Sequence, residues 1–436
     1  MHKTGIWGFL VGALDKCSHF MQMNQKESKS YIKNKIFYIF ASKSSTMANQ
    51  NLSSAKSTKN DEFYTQYHDI EMEVNAYLEY DPDVFRGKTV LLPCDDPEWS
   101  NFTKFFAQRF EVLGLKKLIS TSFAPDSKRY KYGYQPSLFE TQDPQFDIKK
   151  TQTHGKIFVV ERDKTGDGKI DYQDLEWQYL EDDGDFRSKE VCKLRDEADI
   201  IVTNPPFSLF REFLAWIVSA KKQFLIIGNM NAISYKEVFP LIKDNQMWMG
   251  NGFKGGNAYF RPIGQREYAS GVYDETTGLV KFRNCCWFTN LDHGRRHQPL
   301  SLMTMAENLK FSKHKEIKGL QSYLHYDNYD AIEVPFTDAI PSDYEEVMGV
   351  PISFLDKYCP EQFEIVGITK TWFGGACKIY PKQIQVDKRG AQTSVTKLND
   401  GATIELSDAP DGETFYMVDD KMYTQVYARI LIRKKQ

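Results

Sequence analysis

Asn204-Pro205-Pro206-Phe207 is the segment of this sequence whose residue types best suit a reaction. An amino nitrogen conjugated to an aromatic ring, such as N6 of adenine, is a poor nucleophile because its lone pair is delocalised. Two hydrogen-bond acceptors aimed at its two hydrogens draw it toward a tetrahedral state without a strong base. The Asn204 side-chain oxygen supplies one acceptor and the Pro205 carbonyl the other. Pro205 and Pro206 have fixed φ and no N–H, so they stiffen the turn that presents these oxygens. Phe207 offers a ring on which an extruded base stacks. Positioning and fixed dipoles then carry methyl transfer to the nitrogen. The plainer alternative is a structural turn between a strand and a helix.

The elements that must hold this turn are legible as periodicity. Residues 198–203 read as a buried strand ending at Asn204, and Phe210, Phe213, Leu214 and Ile217 follow in helical phase. Residues 88–94 read as another buried strand, stopped by Asp95-Asp96-Pro97. Phe102, Phe105, Phe106 and Phe110 share one face of a helix over 100–112, and a further helix is expected over 66–80. Residues 117–121, 157–160 and 224–228 are short apolar strands, whereas 125–155 has no period and is expected as loop. Apolar strands alternating with helices predict an α/β, Rossmann-like fold on a parallel sheet covered on both faces. Ligands of such sheets bind at the carboxyl ends of the strands, where Cys94-Asp95 and Asn204 both fall. Beyond about residue 245 shorter strand-like runs take over, among them 284–290, 362–369 and 423–433.

Several motifs together resemble the EcoRI-type family of adenine-specific DNA methyltransferases, over most of residues 60–370. They are Asp61-Glu62-Phe63-Tyr64-Thr65, Cys94-Asp95-Asp96-Pro97-Glu98-Trp99-Ser100-Asn101-Phe102, Gly184-Asp185-Phe186-Arg187-Ser188, the Asn204 tetrapeptide, Trp287-Phe288-Thr289-Asn290-Leu291 and Pro351-Ile352-Ser353-Phe354-Leu355-Asp356-Lys357-Tyr358. The resemblance implies a class I methyltransferase domain, S-adenosylmethionine as cofactor, and double-stranded DNA as partner, with the target adenine flipped out. Phe63, Tyr64 and Thr65 would wrap the methionine end of the cofactor. Cys94, Asp95 and Asp96 stand where the first cofactor motif usually has a glycine-rich turn; a carboxylate here could accept from the cofactor's ammonium. The alternative for Asp95 is helix capping, which Asp and Ser perform well. Asp185 would accept from the cofactor's adenine amine and Phe186 would stack on that ring. After the strand at 117–121 only Ser120, Thr121 and Ser122 follow, so no acidic ribose ligand is assigned. The motif order resembles the gamma arrangement, with target recognition last. The resemblance is compatible with a restriction-modification system, with a cognate restriction endonuclease acting independently, and equally with an orphan or phage-borne enzyme.

Lys281, Arg283, Arg295, Arg296, Lys310 and Lys313 lie in the densest basic stretch and are candidate phosphate contacts. Asp163 to Asp174 has the spacing of a calcium loop, but Thr165 and Asp174 replace preferred ligands; a hairpin turn fits better. No metal is expected to take part. The seven cysteines are scattered without Cys-x-x-Cys, which argues against a disulfide framework or zinc site. No apolar run is long enough to span a membrane, and a cytoplasmic location in a bacterial or phage setting is expected.

Residues 1–46 are read as a non-native or disordered leader ahead of Met47, and 47–60 as a flexible leader. The methyltransferase domain is placed at 61–295 and a target-recognition region at 296–436. Two other functions remain open: methylation of RNA adenine or protein glutamine by the same tetrapeptide, and a catalytically silent nucleic-acid-binding module.

Overall fold

The computed structural model describes residues 63–95, 100–124, 141, 143–163, 166, 170, 174, 176–253, 257–262 and 271–435. Both leaders, Asp96 to Trp99 and most of the 163–174 loop lie outside these residues, as does the side chain of Phe63. The described chain forms two compact units. One takes residues 63–300, 352–365 and 435; the other takes 301–351 and 366–434. The boundary near residue 300 therefore has a return crossing: residues 352–365 belong with the first unit. Gln362 holds them there, accepting from the Leu300 N–H at 2.7 Å and donating to its carbonyl at 2.9 Å.

The first unit is built on β1 (Phe63–Thr65), β2 (Thr89–Leu92), β3 (Lys117–Ser122), β4 (Lys156–Val160), β5 (Glu176–Tyr179), β6 (Ile200–Thr203), β7 (Gln223–Asn229), β8 (Trp248–Met249), β9 (Asn257–Pro262), β10 (Tyr273–Asp274), β11 (Leu279–Arg283) and β12 (Cys285–Thr289). Eight of these strands form one sheet in the order β5-β4-β3-β2-β6-β7-β12-β8. β3, β2, β6 and β7 run parallel, as their continuous apolar runs predict. Antiparallel strands flank this parallel core, so the sheet as a whole is mixed: β4 and β5 pair antiparallel on one side, β12 and β8 on the other. The chain leaves β2 toward β3 but later continues from β6 toward β7, so strand order reverses between β2 and β6. That reversal opens the crevice in which such sheets bind ligands.

The helices of this unit include α1 (Tyr67–Tyr80), α2 (Asn101–Gln108), α3 (Phe110–Leu113), α4 (Ile148–Thr153), α5 (Lys189–Glu197) and α6 (Phe210–Ser219). The helix expected over 100–112 is interrupted at Arg109, whose ψ of 12° departs from helical geometry. α4 falls in a segment expected as loop. Its N-cap Asp147 accepts from the Lys149 and Lys150 amides, a capping contribution that needs no apolar period. The phenylalanines that predicted α2 are its buried face, with Phe102, Phe105 and Phe106 at most 1% exposed.

A second, four-stranded sheet in the order β1-β9-β11-β10 was not foreseen. Its pairing joins segments nearly 200 residues apart, with Thr65 opposite Phe260 and Phe260 opposite Val280.

α1 buries a carboxylate. Glu73 accepts from Tyr77 Oη at 2.8 Å and from the Asn251 and Gly252 amides at 2.8 Å each. A Cβ on Gly250 would land on this carboxylate, so glycine is required there. Burial pushes the Glu73 carboxyl up to about 7, although Tyr77, the two amides and Arg295 pull it down. The folded state therefore holds a proton that the unfolded chain releases near 4.5. The associated stability is present below that pH and is lost as pH rises through 7, a change on the order of 3 kcal/mol. Chemical denaturation from pH 5 to 8 should show this decline. Glu73→Gln should flatten it, at the loss of one acceptor worth about 1–3 kcal/mol. An unchanged slope in the variant would assign the pH dependence elsewhere.

The second unit carries α7 (Met305–Phe311), whose Thr304 and Glu307 form a capping box, and mostly short strands. β13 (Ile332–Glu333), β14 (Met348–Pro351), β15 (Phe363–Ile368, its first three residues counted with the first unit), β16 (Gln383–Val386), β17 (Gln392–Val395), β18 (Thr403–Leu406), β19 (Phe415–Val418), β20 (Lys421–Gln425) and β21 (Arg429–Lys434) complete the order. The sheets run β13-β14-β21-β15 and β17-β16-β19-β20-β18. The strand expected over 423–433 is thus two strands in different sheets. Arg429, 2% exposed, donates to the buried Glu333 at 2.6 Å, and Tyr326 donates to the same carboxylate.

Candidate active site

Three predicted motifs lie along the carboxyl edge of the adjacent strands β3, β2 and β6. Cys94 and Asp95 follow β2, and Asn204 follows β6. The Asp185 segment is brought to the end of β3 by backbone contacts: the Ala124 N–H donates to the Asp183 carbonyl at 2.7 Å and the Gly155 N–H to the Asp182 carbonyl at 2.9 Å. Gly184, with φ of 81°, passes so close to Ser122 that a Cβ would lie on the Ser122 carbonyl. Glycine just before Asp185 is therefore a condition for that approach.

Asp95 joins the motifs. It is 6% exposed. Ser100 Oγ donates to its Oδ1 at 2.6 Å and Thr203 Oγ1 to its Oδ2 at 2.6 Å. Ser120 Oγ donates to its carbonyl at 2.5 Å, and its own N–H donates to the Thr121 carbonyl at 3.1 Å. One carboxylate thus ties the ends of β2 and β6 to the start of α2. The N-cap of α2 is Ser100, which accepts from the Phe102 amide at 3.1 Å; Asp95 orients that cap and is not itself the cap. Next to it, Asn101 Nδ2 donates to the Thr65 carbonyl at 2.7 Å. A continuous path of bonded neighbours therefore runs from Tyr64-Thr65 through Asn101, Ser100, Asp95 and Thr203 to Asn204. Sequence alone assigns Asn101 and Thr203 no role, and Ser100 at most a cap. Hydroxyl and amide side chains at strand and helix ends were the available signal.

The tetrapeptide is a turn into a short 3-10 segment, Phe207–Leu209, and then α6. Asn204 is half-buried with its Oδ1 shielded from solvent, and Pro205 is buried. The Pro206 carbonyl is committed to the Leu209 N–H at 2.9 Å. Phe207 is half-buried against Phe260 and Phe282, with centroids 6.3 and 5.8 Å away. Those two rings, on the inner face of the small sheet, fix where Phe207 lies. Sequence reasoning missed them because the pairing that delivers them is long-range.

Asp185 is engaged by its neighbour. Arg187 Nε donates to Oδ1 at 2.8 Å, Nη2 to Oδ2 at 2.7 Å, and the Arg187 amide also to Oδ1 at 2.8 Å. Burial opposes ionisation of Asp185, but these Arg187 contacts outweigh it and hold the carboxyl below its ordinary value. Phe186 is 5% exposed, packed edge-on against Phe213 and Trp216. The Arg187 guanidinium lies 5.2 Å from its ring centroid. The carboxylate and ring expected to meet a nucleoside are both covered by Arg187, which also bonds Glu212 at 3.0 Å.

The basic candidates separate. Lys281 and Arg283 are on β11, with Arg283 exposed. Arg296 is 7% exposed, stacked 3.8 Å over Trp248 and bonded to Asn245 and Asp292. Its burial removes it from the phosphate contacts. Arg295 donates inward to the Asn251 carbonyl, beside Glu73, so it too serves the fold. In the other unit Lys310 is exposed and Lys313 pairs with Asp338 at 2.6 Å. Asp96 lies outside the described residues. Antiparallel β4 and β5 flank the 163–174 segment as a hairpin would. No group of three or more potential metal ligands occurs among the described residues, and no helix among them is long and apolar enough to cross a membrane.

A family model described as adenine-specific methyltransferase EcoRI matches residues 51–435. The type II methyltransferase M.EcoRI of Escherichia coli is 42% identical over 325 residues, covering 74% of this chain and 90% of the relative. The type II methyltransferase M.MpnI of Mycoplasma pneumoniae is 33% identical over 316 residues, 72% of this chain and 83% of that relative. No solved structure matches the chain.

Proposed function

Because this chain belongs to the EcoRI family of adenine-specific methyltransferases, we propose that it methylates N6 of a flipped adenine at a defined site in duplex DNA, with S-adenosylmethionine as donor. The observation that carries this reading is the 2.6 Å bond between Thr203 and Asp95. It sets the residue next to Asn204 against the candidate cofactor segment, at the reversal of strand order.

The residues fit a nucleoside-bearing cofactor: an ionised carboxylate and an aromatic ring at the end of β3, a buried carboxylate at β2 and an amide at β6. Asp185 would accept from its adenine amine and Phe186 would face that ring. Tyr64, Thr65, Cys94 and Asp95 would hold its methionine end, joined by Phe63 and Asp96. When bound, the cofactor supplies an electrophilic methyl group on a sulfonium. Asn204 Oδ1 and the Pro205 carbonyl accept the two N6 hydrogens and turn the nitrogen lone pair out of the ring. Phe207, braced by Phe260 and Phe282, stacks on the extruded base. Lys281 and Arg283 contact phosphate, and the second unit, with Lys310 and Lys313, supplies target recognition. A cognate restriction endonuclease acting independently and a place in the cytoplasm beside the DNA complete this reading.

Incubation with tritiated S-adenosylmethionine and DNA, RNA or ribosomes tests the assignment. Label should appear as N6-methyladenine in DNA. Label in RNA or in protein glutamine would replace it, and failure to bind the cofactor at all would favour a silent nucleic-acid-binding module.

Arg187 adds a prediction. For adenine to reach Asp185 and Phe186, the guanidinium must give way. A partly exposed ion pair is worth about 0.5–1 kcal/mol, so Arg187→Ala should tighten cofactor binding about threefold by calorimetry. Weaker binding would instead make Arg187 a brace for Asp185.

A further inference from the structure

We propose that the outer face of the β1-β9-β11-β10 sheet is a phosphate-binding surface for the DNA strand flanking the target base, with Arg261, Lys281 and Arg283 as its cations. The proposal rests on the DNA reading above and adds a surface to it.

The sheet has two chemically distinct faces. Alternation and register place Thr65, Ala258, Phe260, Val280 and Phe282 on one side. Ala258, Phe260 and Val280 are fully buried there, and Phe260 and Phe282 meet Phe207 of the methylation motif. The opposite side carries Tyr64, Asn257, Tyr259, Arg261, Lys281 and Arg283. Arg261 and Arg283 are exposed, and Tyr259 is 41% exposed. Three cations stand at these six positions, and the same register adds one carboxylate, Asp274 opposite Leu279, in a chain whose net charge is −3. The acid at the sheet edge, Asp274, turns toward its own turn and accepts from the Thr276 and Thr277 amides at 2.9 and 3.4 Å.

The spacing suits a nucleic-acid backbone. Lys281 is the cross-strand partner of Tyr259, and its Nζ lies 5.7 Å from that ring centroid. Arg261 lies two residues from Tyr259 along β9, and Arg283 two from Lys281 in the other direction. The cations therefore step along the sheet at intervals of about 7 Å, comparable to the separation of successive phosphates in an extended strand. A base drawn to Asn204 keeps its flanking phosphates close to that turn. Phe260 and Phe282, which meet Phe207, lie on the same two strands as this row. Sequence proximity groups Lys281 and Arg283 with Arg295 and Arg296, but strand register groups them with Arg261.

The test is the salt dependence of binding of a short mixed-sequence duplex to the full chain. Each phosphate contact contributes about 0.9 to the slope of log affinity against log salt. Arg261→Gln, Lys281→Gln and Arg283→Gln together should flatten the slope by about 2–3, with melting temperature and S-adenosylmethionine affinity unchanged. Each single variant should flatten it by up to about 0.9, which keeps the question answerable if the triple variant misfolds. An unchanged slope in stable variants overturns the proposal. A parental chain that binds no duplex overturns the DNA reading itself.

Discussion

Asn204→Ala is expected to lower methylation turnover by at least about 10²–10³-fold, the scale of losing one preorganised hydrogen-bonding group at a reacting centre. Cofactor affinity should change little, because the candidate cofactor residues lie on other strand ends. The split between turnover and binding is the diagnostic part. A purely structural Asn204, in a turn whose Pro205 is buried, would lower the melting temperature and depress both quantities together. Asn204→Asp keeps an acceptor oxygen and should retain a measurable fraction of turnover. Single-turnover kinetics with saturating DNA would read this without interference from product release. Parental turnover in Asn204→Ala would remove the tetrapeptide from the chemistry.

Asp95→Ala should have the largest effect on stability. Two buried hydroxyls, Ser100 and Thr203, donate to its carboxylate at 2.6 Å each. Hydrogen bonds to a charged acceptor are worth about 1.5–3 kcal/mol apiece, and the variant should lose at least about 3 kcal/mol, measured by denaturant titration. Asp95→Asn separates the two roles of this residue. Hydroxyls can donate or accept, so an amide can be satisfied by both and most of the stability should return. If the carboxylate also receives the cofactor's ammonium, Asp95→Asn should still weaken S-adenosylmethionine binding about tenfold or more. Parental affinity in that variant would leave Asp95 as a brace alone.

The parallel core of the sheet was legible because β2, β6 and β7 are uninterrupted apolar runs, a pattern that burial on both faces imposes. The antiparallel flanks were not, because strand direction depends on connections and not on composition. At 163–174 the local residues did suffice: the flanking strands β4 and β5 pair antiparallel, as the hairpin turn expected there requires. Arg296 marks the opposite case: a basic residue in a basic stretch is buried over Trp248, since a guanidinium stacks on an aromatic face and bonds at the same time.

By itself, the amino-acid sequence determined the α/β class and the family and pointed to Asn204 as the candidate chemical centre, because those depend on side-chain types at short, local spacings. The tertiary structure alone decided how the parts meet: Asp95 between Ser100 and Thr203, Arg187 over Asp185 and Phe186, and the small sheet whose inner rings hold Phe207. These contacts join residues brought together by strand pairing and burial. Such pairings are selected by the free energy of the whole packed chain, so no local window of residues carries them.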